Sequence, residues 1–169
     1  MSYDRAMTKT LLIVHHSLTG GTTQMAAAAT EGAREEPVTV HTLRAADAGP
    51  ADLLAADGII FAAPENLASL AGVMKDFFDR CYYPALGRLN GRPYATMICA
   101  GSDGDGAARQ IARIATGWRL REVAPPLIVR TDAQTEAAIL APKIIPPADL
   151  TRCRELGQTL AAGLALGIY

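Results

Sequence analysis

Very little in this sequence points to a large partner. Its 169 residues carry 16 basic and 17 acidic side chains, a formal net charge of -1, with no block of like charge. That balance offers no footprint for nucleic acid or an anionic membrane surface. Cys81, Cys99 and Cys153 are an odd number, lack C-x-x-C spacing and fall in apolar stretches. A disulfide framework and a zinc centre are therefore not expected, and the thiols read as buried groups in a reducing compartment. No apolar run reaches transmembrane length. The apolar run in "MSYDRAMTKTLLIV" is four residues long and stops at His15 and His16, shorter than the core of a secretory signal. The expectation is a cytoplasmic protein whose partner is a small molecule.

The chain has the length of one ordinary domain, 1–169, and half of its residues are apolar, enough to bury a core without disulfides or a metal. Four short apolar runs, "LLIV" (11–14), "GIIFAA" (58–63), "YATMICA" (94–100) and "PLIV" (126–129), recur with helix-length stretches between them. "VTVHTL" (38–43) adds a weaker, alternating fifth, with His41 on an edge strand and solvated. Near-continuous hydrophobicity marks strands covered on both faces, and strand and helix alternation predicts a parallel sheet with right-handed crossovers.

Helices are expected over Thr22–Ala33, Pro50–Ala55, Gly72–Tyr83, Asp105–Trp118 and Asp149–Leu166. The third puts Val73, Met74, Phe77, Phe78 and Cys81 on one face and Lys75, Asp76, Asp79 and Arg80 on the other. Asp105 and Asp149 are suited to act as N-caps. Residues 131–148, "TDAQTEAAILAPKIIPPA", contain a possible helical turn that runs into "APKIIPP", whose three prolines prevent a regular helix. They form an excursion between the last strand and the last helix.

In an open parallel sheet the ligand lies at the carboxyl ends of the strands, where strand order reverses. Three loops reach that place. The first, "SLTGGTT" (17–23), combines glycines and hydroxyls at a helix N-terminus, where free N–H groups and positive potential suit a phosphate. It matches neither the Walker loop nor the G-x-G-x-x-G fingerprint; a tight turn capped by Thr19 or Thr22 is its plainer alternative. The second loop is "PENLAS" (64–69). The third, "AGSDGDGA" (100–107), has three glycines in six residues, either exposing backbone donors or forming a flexible surface loop.

Ser17-x-Thr19-Gly20-x-Thr22 followed by Ala26 resembles the phosphate loop of flavodoxins and of flavodoxin-like NAD(P)H-dependent FMN reductases and quinone oxidoreductases. His15 replaces the aromatic residue usual two positions before the serine. "PENLASLAGVMKDFFDR" (64–80) looks like the segment in which a proline-led loop hugs the flavin ring and leads into an amphipathic helix, matched here by Gly72, Met74, Lys75 and Phe77. The resemblance implies a flavodoxin-like three-layer sandwich, a five-stranded parallel sheet of order 2-1-3-4-5 with helices on both faces. It implies FMN held by Ser17, Leu18, Thr19, Gly20, Gly21 and Thr22 at the phosphate. Pro64, Glu65, Asn66, Leu67 and Ala68 would lie at the ring, with Glu65 or Asn66 meeting N5 or the pyrimidine side. Ala100, Gly101, Ser102, Asp103 and Gly104 would lie at the pyrimidine edge, where N–H groups of Gly101 to Gly104 favour the reduced anion.

The resemblance further implies hydride transfer from NADPH or NADH to the flavin, then electron transfer to a small acceptor such as a quinone or free flavin. No side chain is assigned as acid or base. Homodimers or homotetramers are common in the family, and Met74, Phe77, Tyr82 and Tyr83 are candidate contacts, each equally suited to the core. Lys75, Arg80, Arg109 and Arg113 are weaker candidates for a nucleotide phosphate. The competing electron carrier resembles its kind in an acidic surface and a stacked aromatic. Net charge here is near zero and "PENLAS" has no aromatic residue. A fold that has lost the cofactor is a further alternative. A hydrolase built on Ser17 and His15 or His16 lacks the G-x-S-x-G elbow.

Overall fold

A computed structural model describes residues 7–169; the stretch weighed above as a leader begins outside that range. Six parallel strands and one short antiparallel strand form a single sheet. β1 (Thr10–His15) lies between β2 (Thr39–Arg44) and β3 (Gly58–Asn66), and β3 pairs with β5 (Pro93–Ala100) on its other side. Beyond β5, on one edge, lie β6 (Arg121–Glu122), pairing with Pro93 and Tyr94, and β7 (Leu127–Arg130), pairing with Met97 to Ala100. β4 (Ser69–Leu70) folds back on the end of β3. Counted by the five main strands, the order is 2-1-3-4-5, the flavodoxin-like topology.

Side-chain alternation distributes each central strand between two cores. Leu12 and Val14 of β1, with Ile59, Phe61 and Ala63 of β3, face α2 (Pro50–Ala55), α3 (Gly72–Ala85) and α4 (Asp105–Gly117). Leu11 and Ile13, with Ile60 and Ala62, face α1 (Gly21–Ala33) and α6 (Pro147–Ala165). Period-2 geometry makes this inevitable once a strand is buried on both sides. α1 and α6 approach closely because small residues meet: a Cβ on Gly157 would stand 2.0 Å from the Ala29 carbonyl oxygen. The Phe61, Phe78, Tyr94 and Trp118 rings pack on the opposite layer at centroid separations of 5.0 to 6.0 Å.

Several expectations are corrected. The fifth strand is interrupted because Ala124 to Pro126 break its ladder; Pro125 and Pro126 carry no N–H. β3 extends beyond residue 63 into a hairpin. Asp105 and Asp149 are not N-caps: Gly104 and Pro146 hold those positions, and the aspartates fall in the first turn, where they still complement the helix dipole. Val73 is 38% exposed, at the margin of α3's apolar face. Met74 and Phe77, offered as subunit contacts, are fully buried, whereas Tyr82 and Tyr83 are exposed. His41 is exposed on edge strand β2, as expected.

Candidate functional site

An open cleft of about 250 Å³ lies at the carboxyl ends of β1, β3 and β5. Ser17, Leu18, Thr19, Gly21 and Thr22 form one wall, Pro64, Glu65 and Asn66 the second, and Cys99, Ala100 and Gly101 the floor between them. Three loops that were distant in sequence thus converge. A further wall comes from Thr131, Ala133, Ile139, Leu140 and Lys143 of the excursion after β7. Nothing in the composition of 131–148 marked it as part of a site; only the prolines marked it as irregular.

The first loop is built to present backbone. Gly20 caps α1 with φ +89, a conformation that favours glycine. The Ser17 hydroxyl accepts the Gly20 N–H at 3.0 Å, fixing the turn. No side chain caps α1, so its first-turn N–H groups remain available to an anion. Gly21 must be small, since a Cβ there would stand 2.7 Å from the Cys99 sulfur. Thr22, 1% exposed, lines the cleft, and its hydroxyl has no hydrogen-bond partner. The alternative in which Thr19 or Thr22 caps the helix is thereby set aside.

The second loop is a tight β3–β4 hairpin in which Glu65 pairs with Leu70 and Asn66 with Ser69. Its two turn residues, Leu67 and Ala68, both have positive φ, 51 and 61, a type I′ arrangement normally given to Asn and Gly. Gln110 of α4 holds the hairpin by accepting from the Ser69 hydroxyl and the Leu70 N–H. Leu67 is fully exposed, and neither Leu67 nor Ala68 lines the cleft.

Glu65 is engaged differently from expectation. Its carboxylate accepts the backbone N–H of Gly104 at 2.9 Å and of Ala107 at 3.1 Å. It therefore closes the N-terminus of α4, and the Gly104 N–H points inward and is not offered to a ring edge. Of the third loop, Ala100 and Gly101 line the cleft, whereas Ser102 and Asp103 are exposed. Asp103 turns back to accept the Asp105 N–H at 3.3 Å. Gly104 has φ +100 and would place a Cβ 2.6 Å from Ile128.

Burial pushes the Cys99 thiol up, with the Lys143 charge acting in the opposite sense. Desolvation lowers the pKa of His15 and of His16, helped for His15 by the neighbouring charges of His16 and Arg44. The Ser17 hydroxyl is bonded to its own loop, to the Gly20 N–H and not to either histidine, which leaves the hydrolase reading without a dyad. Lys75 pairs with Asp79 and Arg80 with Asp76, both at 2.7 Å; Arg80 also donates to the Ala45 and Ala48 carbonyls. These cations serve the fold. Among the described residues there is no cluster of metal-ligating side chains, and no helix is long and apolar enough to cross a membrane.

The model of the family described as NADPH-dependent FMN reductase matches residues 9–126. The chain belongs to that family. Its match covers the sheet through β6 and the three loops that form the first two walls and the floor. Among relatives of this FMN reductase family member, a flavodoxin of Aquifex aeolicus is 27% identical over 165 residues, 92% of this chain and 87% of the relative. An NAD(P)H dehydrogenase (quinone) of Acidithiobacillus ferrooxidans is 35% identical over 91 residues, covering 41% of this chain and 46% of that one. The fold also matches an archaeal flavodoxin with TM-score 0.73 at 20% identity, over 90% of this chain and 96% of that chain. A WrbA-like flavodoxin of Agrobacterium tumefaciens aligns with TM-score 0.67 at 22% identity, over 95% and 99% of the two chains.

The residues present fit FMN, the cofactor of this oxidoreductase family. An uncapped helix N-terminus, a glycine turn that a Cβ would fill, and an unpartnered buried hydroxyl on Thr22 form the donor set that a phosphate monoester needs.

Proposed function

We propose that this protein is an NAD(P)H-dependent FMN oxidoreductase that passes electrons to a small acceptor such as a quinone or free flavin. Bound FMN would supply the redox chemistry. Ser17, Leu18, Thr19, Gly20, Gly21 and Thr22 would hold its phosphate. Pro64, Asn66, Ala100 and Gly101 would border the ring, with Glu65 fixing the loop behind it. Leu67, Ala68, Ser102, Asp103 and Gly104 would act by shaping the two loops. The reading takes the chain as one flavodoxin-like domain, cytoplasmic and a homodimer or homotetramer, the exposed Tyr82 and Tyr83 of α3 being the remaining candidate contacts.

The observation that carries the reductase over the electron carrier is the cleft lining, which among the described residues contains no aromatic side chain. A ring held there keeps a face open for a nicotinamide and then for an acceptor. The carrier remains the second reading because a relative matched over most of the chain is a flavodoxin. Stopped-flow mixing of the FMN-loaded protein with NADPH and with NADH separates the two. Bleaching of the flavin band within the turnover time supports the reductase. No bleaching with either nucleotide, alongside reduction by a one-electron donor, moves the carrier ahead.

A further inference from the structure

Helix α5 (Glu136–Leu140) has no buried residue, so packing does not explain why it stands beside the cleft. What it holds is Lys143. The Lys143 ammonium donates to the carbonyls of Ala138, Ile139 and Ala141 at 2.9, 2.8 and 2.6 Å, satisfying all three of its N–H bonds. The backbone of the same residue is pinned from the other side. Its N–H donates to the Thr19 carbonyl at 2.8 Å. Its carbonyl accepts from Gln24 Nε2 at 2.7 Å, while Gln24 Oε1 accepts the Ile145 N–H at 3.0 Å. Lys143 Cβ lies 3.5 Å from where a Cβ on Gly21 would stand, against the first turn of α1. Among the described residues lining the cleft Lys143 is the one cation, and its charge is felt at the Cys99 thiol on the floor.

We infer that Lys143 is the cationic element of the phosphate site, supplied by the excursion after β7 in place of a lysine in the phosphate loop. The inference rests on the FMN reading of the cleft. The 17–23 loop offers only neutral donors to a group carrying nearly two negative charges, and a fixed ammonium beside it adds attraction without a side chain having to be ordered on binding. α5 then acts as a holder that keeps the ammonium at the cleft wall, and Gln24 registers that holder against the phosphate loop. Lys143 is a specificity residue: it distinguishes a phosphorylated flavin from riboflavin.

The test is a fluorescence titration of the flavin-free protein with FMN and, separately, with riboflavin, at low and at high salt. For Lys143→Met the expected result is FMN binding about tenfold weaker, with riboflavin changed by less than about twofold. Wild-type FMN affinity should fall with added salt and that of the variant should fall less. Lys143→Arg, which keeps the charge but not the geometry of the three carbonyl contacts, should retain most of the preference for FMN. An equal loss for both ligands would show that Lys143 acts by packing, and no loss for either would make it a helix cap alone; each overturns the inference while the FMN reading stands. Wild-type protein that binds no FMN would overturn both together.

Discussion

Glu65 and Gly104 are joined by a 2.9 Å hydrogen bond across 39 residues of sequence, and that bond sets the relation between the second and third loops. The carboxylate sits where α4 is most positive and takes two otherwise orphaned N–H groups, those of Gly104 and Ala107. Glu65→Gln replaces one acceptor oxygen by a donor facing an N–H. Expected is a loss of about 1–2 kcal/mol in urea unfolding of the flavin-free protein; an unchanged midpoint would show that the bond is not maintained in solution.

Thr22 gives a prediction of opposite sign for stability and binding. Its hydroxyl is buried without a partner, so Thr22→Val keeps the volume and removes an unsatisfied group. The flavin-free variant should be no less stable than wild type, gaining up to about 1 kcal/mol, while its FMN affinity drops. Parallel thermal melts and FMN titrations check both halves, and a variant that binds FMN as wild type does removes the hydroxyl from the site.

The hairpin turn carries two non-glycine residues at positive φ, Leu67 and Ala68. Replacing the pair by Asn-Gly matches the turn type. The double variant should be stabilised by about 1 kcal/mol, seen as a raised melting temperature. If melting is unchanged or lowered, the turn is not strained.

His15 and His16 link stability to acid. Both have folded-state pKa values below the ordinary 6.5, so below that pH the unfolded chain takes up protons that the native state resists. Stability is then greatest above about 6.5 and falls as the pH drops through that value, levelling below the folded-state values. His15→Gln should flatten this acid limb in unfolding measured from pH 7.5 to 5, and an unaltered slope would assign the effect elsewhere.

The thiols give an alkaline counterpart. Burial raises Cys81 to about 11 and Cys153 to about 12, so native protein at pH 8 should react with a thiol reagent far more slowly than protein in denaturant. The unfolded chain loses these protons first as pH rises beyond about 9, and stability should fall there. Fast labelling of the native protein would contradict the burial of these groups.

The parallel sheet was legible because buried parallel strands need uninterrupted apolar runs, while the order of its strands came with the family resemblance. "LLIV", "GIIFAA" and "YATMICA" all became strands of the central sheet. "SLTGGTT" was legible as a turn that exposes backbone at a helix N-terminus, because glycine and small hydroxyl residues report such exposure directly. Pro64, Asn66, Ala100 and Gly101 reach the cleft by chain order alone, each at the carboxyl end of a strand or just beyond it.

Side-chain destinations were not legible in the same way. Glu65 lies in the expected loop, yet which groups its carboxylate would meet depended on where α4 begins, 39 residues later. The hairpin of Leu67 and Ala68 violates turn preference, and the grip of Gln110 on Ser69 and Leu70, 41 and 40 residues away, helps to sustain it. Residues 131–148 showed no periodicity, because a strap held by Gln24 and Lys143 through backbone groups needs no apolar pattern.

Local pattern by itself thus determined the parallel strands of the sheet and the backbone-exposing turn at 17–23, since strand burial and backbone exposure are written in consecutive residues, while the strand order followed from the family resemblance. Tertiary structure alone decided that the Glu65 carboxylate meets Gly104 and Ala107 and that the Lys143 backbone meets Thr19 and Gln24. Those partners lie far along the chain, and no stretch of sequence names them.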